Sequence, residues 1–198
     1  MQKYRDMNEQ QLLGLIKQGD THATRELYTR HIGYLKAVCS RYVTGNDDVM
    51  DILHDGFVKI ITSIDGFTFR GEGSLRSWMA RIIANECVDF LRRANRLGFA
   101  VDEDRALSVE DEAPPDADDV PPAVLHDMIR QLPEGYRTVL NLYVFEERSH
   151  KEIAVLLGIK ESSSASQFHR AKNILAKKIK EYKSSKLSGY ERRMDKQT

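Results

Sequence analysis

The 198-residue chain has little of what several protein classes require. Its two cysteines, Cys39 and Cys87, are too few for a disulfide framework and stand in no CxxC or Cys/His pattern with metal-ligand spacing. A reduced, cytoplasmic setting is expected. No apolar run approaches the roughly 20 residues that cross a bilayer, and Met1-Gln2-Lys3-Tyr4-Arg5-Asp6 leads into polar sequence rather than a signal-peptide core. No direct membrane insertion is expected. There is no GxxxxGKS/T phosphate loop and no GxSxG elbow. His54-Asp55 is the ligand dipeptide of some metal-dependent phosphohydrolases, but His22, His31, His126, His150 and His169 add no ligands at converging spacings. The expectation is therefore no catalytic residue, no metal and no cofactor, hence no enzyme. No internal repeat is visible.

Net charge is also missing, because Lys+Arg 30 balance Asp+Glu 30. The balance is a cancellation of blocks. Residues 1–97 carry 14 basic and 12 acidic side chains, 98–127 carry 1 and 10, and 128–198 carry 15 and 8. Such asymmetry points to a polyanion partner for the basic part and a separate role for the acidic stretch.

What is present is helical periodicity. Apolar residues from 8 to 97 recur at spacings of three and four, best seen in Val49, Ile52, Leu53, Phe57, Ile60, Ile61 and Ile64. Asn8 with Gln11 reads as a capping box for a helix to about Lys17. A second helix is expected from about His22 to Val43, with Leu27, His31, Tyr34, Leu35, Val38 and Tyr42 on one side, and a third from about Asp47 to Ile64. Phe67 to Gly73 reads as a loop with exposed aromatics, and Ser74 as the cap of a fourth helix to about Leu97. Residues 98–120 hold most of the acidic excess and, with the neighbouring 121 and 122, four of the five prolines, which describes a flexible linker. Helical spacing returns at Val124, Leu125, Met128, Ile129 and Leu132, and Pro133 fits the first turn of the next helix. Ser149 with Glu152 is a second capping box, Gly158 suits a helix end, and Ser162 reads as the cap of a last helix to about Tyr182. The tail beyond it is polar.

Three faces carry candidate chemistry. In segment 149–182, a short helix, a tight turn at Gly158-Ile159-Lys160 and a longer helix form a helix-turn-helix pattern. The last helix sets Phe168, Ala171, Leu175, Ile179 and Tyr182 on one side and Ser162, Ser163, Ser166, His169, Arg170, Asn173 and Lys177 on the other, a surface suited to a DNA groove. The helix from Ser74 aligns Ser77, Arg81, Asn85, Val88, Arg92 and Arg96, with Trp78 at the margin, either packed or stacked on a base. A solvated helix face is the plain alternative for both rows. The third helix shows Asp47, Asp48, Asp51 and Asp55, which repel nucleic acid and suit a basic protein surface. A preference for acids near a helix N-terminus explains Asp47 and Asp48 but not Asp55.

In order and spacing, these features resemble an extracytoplasmic-function (ECF) sigma factor of bacterial RNA polymerase. The carriers are Asp48-Val49-Met50-Asp51-Ile52-Leu53-His54-Asp55-Gly56-Phe57, the run from Ser74 through Trp78, Arg81, Asn85 and Asp89 to Arg92-Arg93, Leu132-Pro133-Glu134-Gly135-Tyr136-Arg137, His150 to Ile159, and His169-Arg170-Ala171. The resemblance implies an all-α chain of two small helical domains: a four-helix sigma region 2 at 1–97 and a helix-turn-helix region 4 at 121–183. A flexible acidic linker at 98–120 joins them and a polar tail occupies 184–198. It implies that Asp48, Asp51, Asp55 and Phe57 hold the β′ clamp helices of core RNA polymerase. Phe69, Arg70, Ser74, Trp78, Arg81, Asn85, Asp89 and Arg92 would capture the non-template strand of the minus-ten element, while Ser163, Ser166, His169 and Arg170 contact the minus-thirty-five element. Its further implied partners are the β flap, promoter DNA and an anti-sigma factor. Ala165 stands where many members carry Lys or Arg, which shifts the expected burden of specificity to Arg170. The alternatives are a stand-alone helix-turn-helix regulator and, third, a His-Asp metal enzyme.

Overall fold

In the computed structural model, residues 2–94 and 117–194 are described, and all their regular structure is helical. The chain divides into two units, Met1–Ala94 and Asn95–Thr198.

The first unit contains α1 (Gln2–Arg5), α2 (Glu9–Lys17), α3 (Thr21–Tyr42), α4 (Asn46–Ser63) with a 3-10 turn over Ile64–Gly66, and α5 (Ser74–Arg93). Local chemistry starts the helices where the sequence predicts. Asn8 Oδ1 accepts from the Gln11 amide at 2.8 Å while Gln11 Oε1 accepts from the Asn8 amide at 3.1 Å, two otherwise orphaned donors satisfied reciprocally. Asp20 caps α3 by accepting from the His22 and Ala23 amides at 2.9 and 3.0 Å. It also accepts from the Tyr4 hydroxyl at 3.0 Å, which ties down the unpredicted α1. The Ala23 amide bond leads the contacts that hold the Asp20 carboxyl below the ordinary carboxylate range.

Helix α5 packs against both α3 and α4. Leu27, Leu35, Leu53, Ile60, Leu75, Met79, Ile83 and Leu91 are essentially inaccessible there, each contributing on the order of 1.5–3 kcal/mol through burial. Gly56 lets α4 approach α5: a methyl group at 56 would collide with Ile83 Cδ1. Lys59 and Glu86 pair across the same seam, and that hydrogen bond raises the Lys59 ammonium above its ordinary pKa.

Three expectations change here. Gly73, in the left-handed region at φ 81°, is the N-cap of α5, and Ser74 is its first residue rather than its cap. Phe67 is buried rather than exposed, because its ring meets Trp78 with centroids 4.9 Å apart. Val88 is fully buried, since a helix flanked by two neighbours buries more than one stripe. Arg96, and the predicted end of this helix at Leu97, lie outside the described residues.

The second unit contains α6 (Pro122–Arg130), α7 (Glu134–Val144), α8 (His150–Leu157) and α9 (Glu161–Met194). Most of the acidic linker falls outside the described residues, but Val120, within its predicted span, is buried with Met128, Ile129, Leu132, Leu140, Ala171, Leu175 and Ile179. Pro133 is the N-cap of α7, one position earlier than predicted. Arg137 is 3% exposed; its Nη1 donates to the Arg130 carbonyl at 2.6 Å and to that of Leu132 at 3.4 Å. It thereby closes the end of α6. Burial, ahead of the nearby charges, pulls its pKa down. Ser149 and Glu152 form the predicted capping box, and Gly158 ends α8 at φ 68°. Helix α9 begins at Glu161, so Ser162 lies inside its first turn, and it runs to Met194 rather than stopping at Tyr182. Residues 195–198 of the predicted tail lie outside the described residues.

Candidate nucleic-acid interface

On α4, residues 47, 50, 51, 54, 55 and 58 are exposed, a row at helical spacing. Asp51 and Asp55 stand in the middle of it. Met50 and Val58, 47% and 52% exposed, flank them and escaped the sequence reading. Their signal was available: apolar residues on a face otherwise polar. Phe57 is half-buried, edge-on to Tyr28 with centroids 4.9 Å apart. Asp48 differs from the other acids. Its Oδ2 lies 2.8 Å from where a Cβ on Gly45 would stand, so its carboxylate turns back over the helix N-terminus.

The loop between the 3-10 turn and α5 is pinned at its base and at its tip. Lys17 Nζ donates to the carbonyls of Asp65 and Phe67, both at 3.1 Å. At the other end Ser74 Oγ donates to the Gly71 carbonyl at 2.6 Å and accepts from the Arg70 amide at 3.2 Å. Gly71 and Gly73 both have positive φ, 109° and 81°, so the tight return depends on residues without Cβ. Phe69 is half-buried, and Arg70 exposed.

Along α5, Ser77, Arg81 and Arg92 are exposed, and Asn85 and Asp89 are half-buried. Arg92 Nη1 lies 3.9 Å from Asp89 Oδ1. Trp78 is half-buried with one side of its ring on Phe67. The structure thus ties Arg70 to Ser74 at the start of α5, with Phe69 in the loop before them and Trp78 one turn along the helix against Phe67. Arg81, Asn85, Asp89 and Arg92 follow along the helix as a narrower row than the sequence pattern gave.

On α9, Ser162, Ala165, Ser166, Asn173 and Lys177 are exposed, with Ser163, His169 and Arg170 half-buried. Ser166 Oγ donates to the Ser163 carbonyl at 3.1 Å, and His169 Nε2 is 2.9 Å from Asn173 Nδ2. Arg170 Nη1 donates to the Tyr136 hydroxyl on α7 at 3.2 Å, so that side chain is held against its own domain as well as facing outward. Ser164 is fully buried, 3.0 Å from His150 Nδ1, and His150 stacks on Tyr143. This bond fastens α9 to α8 and fixes the helix-turn-helix pitch; nothing in the serine run singled out Ser164.

Among the described residues no helix is long and apolar enough to cross a membrane, and no group of three or more His, Cys, Asp or Glu could hold a metal ion.

Residues 27–97 match the family model of sigma-70 region 2, and residues 123–175 that of sigma-70 region 4. The ECF RNA polymerase sigma-E factor of Haemophilus influenzae is 26% identical over 184 residues, covering 87% of this chain and 96% of that protein. The RNA polymerase sigma factor SigV of Bacillus subtilis is 27% identical over 134 residues, covering 68% and 77%. Among solved structures, the sigma factor RpoE in complex with the anti-sigma factor NepR from Bartonella quintana aligns with a TM-score of 0.45 at 19% identity, over 79% of this chain and 96% of that one.

Proposed function

The chain belongs to the extracytoplasmic-function sigma factors of bacterial RNA polymerase, and from that premise we propose how its faces divide the work of initiation. It directs core RNA polymerase to specific promoters and starts transcription there. Asp51 and Asp55, with Asp48 and Phe57 beside them, dock on the β′ clamp helices: the carboxylates select a basic partner, and Met50 and Val58 supply apolar anchorage. Phe69, Arg70, Ser74 and Trp78 take the opened non-template strand at the minus-ten element, and Arg81, Asn85, Asp89 and Arg92 follow it along α5. Ser163, Ser166, His169 and Arg170 hold the minus-thirty-five duplex, and the second unit meets the β flap. The protein works in the cytoplasm without catalytic activity or cofactor of its own, and an anti-sigma factor masks these faces until a signal arrives.

The observation that carries the reading is the exposed row on α4, where Asp51 and Asp55 stand with Met50 and Val58 on a helix packed directly against the one bearing the arginines. The alternative of a stand-alone helix-turn-helix regulator is not favoured: it leaves residues 27–97, which match sigma region 2, as an unrelated sensing domain. Purified full-length protein with core polymerase should give promoter-dependent transcripts from genomic fragments; none from any fragment rejects initiation. Asp51→Arg should weaken binding to core polymerase by about tenfold or more while full-chain affinity for duplex promoter DNA stays unchanged. Equal loss of both would contradict the division of labour.

A further inference from the structure

Two thiols face each other across the seam between α3 and α5. Cys39 Sγ and Cys87 Sγ lie 3.4 Å apart, both residues are 0% exposed, and both are reduced. The contact joins positions 48 residues apart in the chain, on helices that pack directly together. The Cys87 thiol donates to the Cys39 sulfur, and the Cys39 thiol donates in turn to the Val49 carbonyl on α4 at 3.9 Å. Sulfur is a weak partner on either side of such a bond, so the reduced pair adds little to stability beyond its packing.

The geometry favours a covalent closure. A disulfide bond is about 2.05 Å long, so the sulfurs need to approach by only about 1.4 Å, within the reach of side-chain rotation. These are the chain's two cysteines, so no other thiol of the same chain competes. Where thiols are kept reduced, a disulfide that does form is transient and redox-sensing rather than structural. Access is restricted. Leu35 and Tyr42, one turn to either side of Cys39, and Ala84 and Leu91, one turn to either side of Cys87, are at most 1% exposed. An oxidant therefore reaches the sulfurs only when the helices part locally, which admits a small neutral peroxide more readily than a bulky disulfide.

We propose that Cys39 and Cys87 are a redox-active dithiol that hydrogen peroxide closes to a disulfide, stapling α5 to α3. One of the two, as thiolate, attacks a peroxide oxygen; the O–O bond breaks, hydroxide leaves and recovers the thiol's proton as water, and the sulfur becomes a sulfenic acid. The second sulfur attacks the first, the S–O bond breaks, and the hydroxyl departs with the second thiol's proton as another water. The thiols lose two electrons, the peroxide gains them, and one disulfide and two waters result. A dithiol reductant reverses the closure by exchange. The staple restricts the unfolded first unit and so raises its stability. It is independent of the initiation reading. The test treats full-length protein with hydrogen peroxide, removes the excess with catalase, and alkylates the denatured chain with iodoacetamide before mass spectrometry. The expected product is a monomer two hydrogens lighter that takes up no alkyl group, yields a linked peptide pair containing Cys39 and Cys87, and regains two alkylatable thiols after dithiothreitol. The midpoint of the thermal transition seen by Trp78 fluorescence should rise by about 10 °C or more on oxidation and return on reduction. Cys87→Ala should show neither the link nor the rise, and the wild-type result stands without any variant. Two thiols still alkylatable after peroxide, under conditions that oxidise the same protein unfolded in urea, overturn the proposal. So do sulfinic or sulfonic acid in place of the link, a link between two chains, or a disulfide that fails to raise the midpoint.

Discussion

Gly56 sets the distance between α4 and α5, and its replacement by alanine pits two effects against each other. Alanine favours a helix over glycine by about 1 kcal/mol. Its methyl group, however, would collide with Ile83 Cδ1 on a side chain that is 0% exposed, and overpacking of that kind costs about 1–3 kcal/mol. Gly56→Ala should therefore destabilise the first unit by roughly 1 kcal/mol net. Ile83→Val removes the offending Cδ1 and alone should cost about 0.5–1.5 kcal/mol for the space it leaves. In the double variant the new methyl occupies that space and the helix preference stands unopposed, so its stability should match or exceed wild type. The favourable coupling expected between the two sites is about 1–3 kcal/mol. Urea unfolding followed by tryptophan fluorescence reads the right unit, because Trp78 is the single tryptophan and sits beside Phe67 in the first unit. Additivity within about 0.5 kcal/mol, or a Gly56→Ala that stabilises, would refute the close-approach account.

Two further outcomes are expected. Arg170→Ala should weaken binding of the polymerase-bound protein to minus-thirty-five duplex by about 1–3 kcal/mol if the guanidinium reaches a guanine, and Tyr136→Phe, which releases its anchor, by less; unchanged promoter preference in both, measured by competition binding, removes Arg170 from base readout. The depressed pKa of His31 means that below the ordinary value of 6.5 the unfolded chain takes up a proton that the folded one refuses. The associated stability is complete above 6.5 and is lost as pH falls toward the folded value. His31→Asn should flatten the urea midpoint against pH between about 7 and 5. Parallel curves for the two proteins would show that burial, with Arg30 and Arg76 nearby, does not disfavour the charged imidazole.

The features legible in the sequence are those decided within a few residues. The two capping boxes, Asn8 with Gln11 and Ser149 with Glu152, and the left-handed Gly158 are local transactions, and each stands where the spacing puts it. The acidic row on α4 was also legible, because a helix period suffices to align Asp51 with Asp55. What escaped depends on neighbours far along the chain. Val88 looked polar-facing on a helical wheel because a wheel assumes one buried side, whereas α5 is enclosed by α3 and α4. Phe67 looked like a loop aromatic until Trp78 covered it. Ser164 was indistinguishable from Ser163 and Ser166 until His150 reached it. A recess in the first unit, lined by Glu9, His31, Tyr34, Phe69 and Arg76, joins three segments far apart in the chain, so no motif could announce it.

The length of α9 has a mechanical consequence. Thirty-four residues at 1.5 Å each make a rod about 50 Å long. The side chains proposed above to meet duplex DNA sit near one end, and Ala171, Leu175 and Ile179 anchor it immediately behind them. Tilting the rod to aim at a different sequence would mean repacking that anchorage together with α6 and α7. Exchanging exposed side chains such as Ser162, Ala165 or Ser166 would leave the core alone, and surface changes of this kind usually stay within about 0.5 kcal/mol. On the division of labour proposed above, diversification of promoter choice is thereby channelled into a few solvent-facing positions, each free to vary with little effect on whether the protein folds.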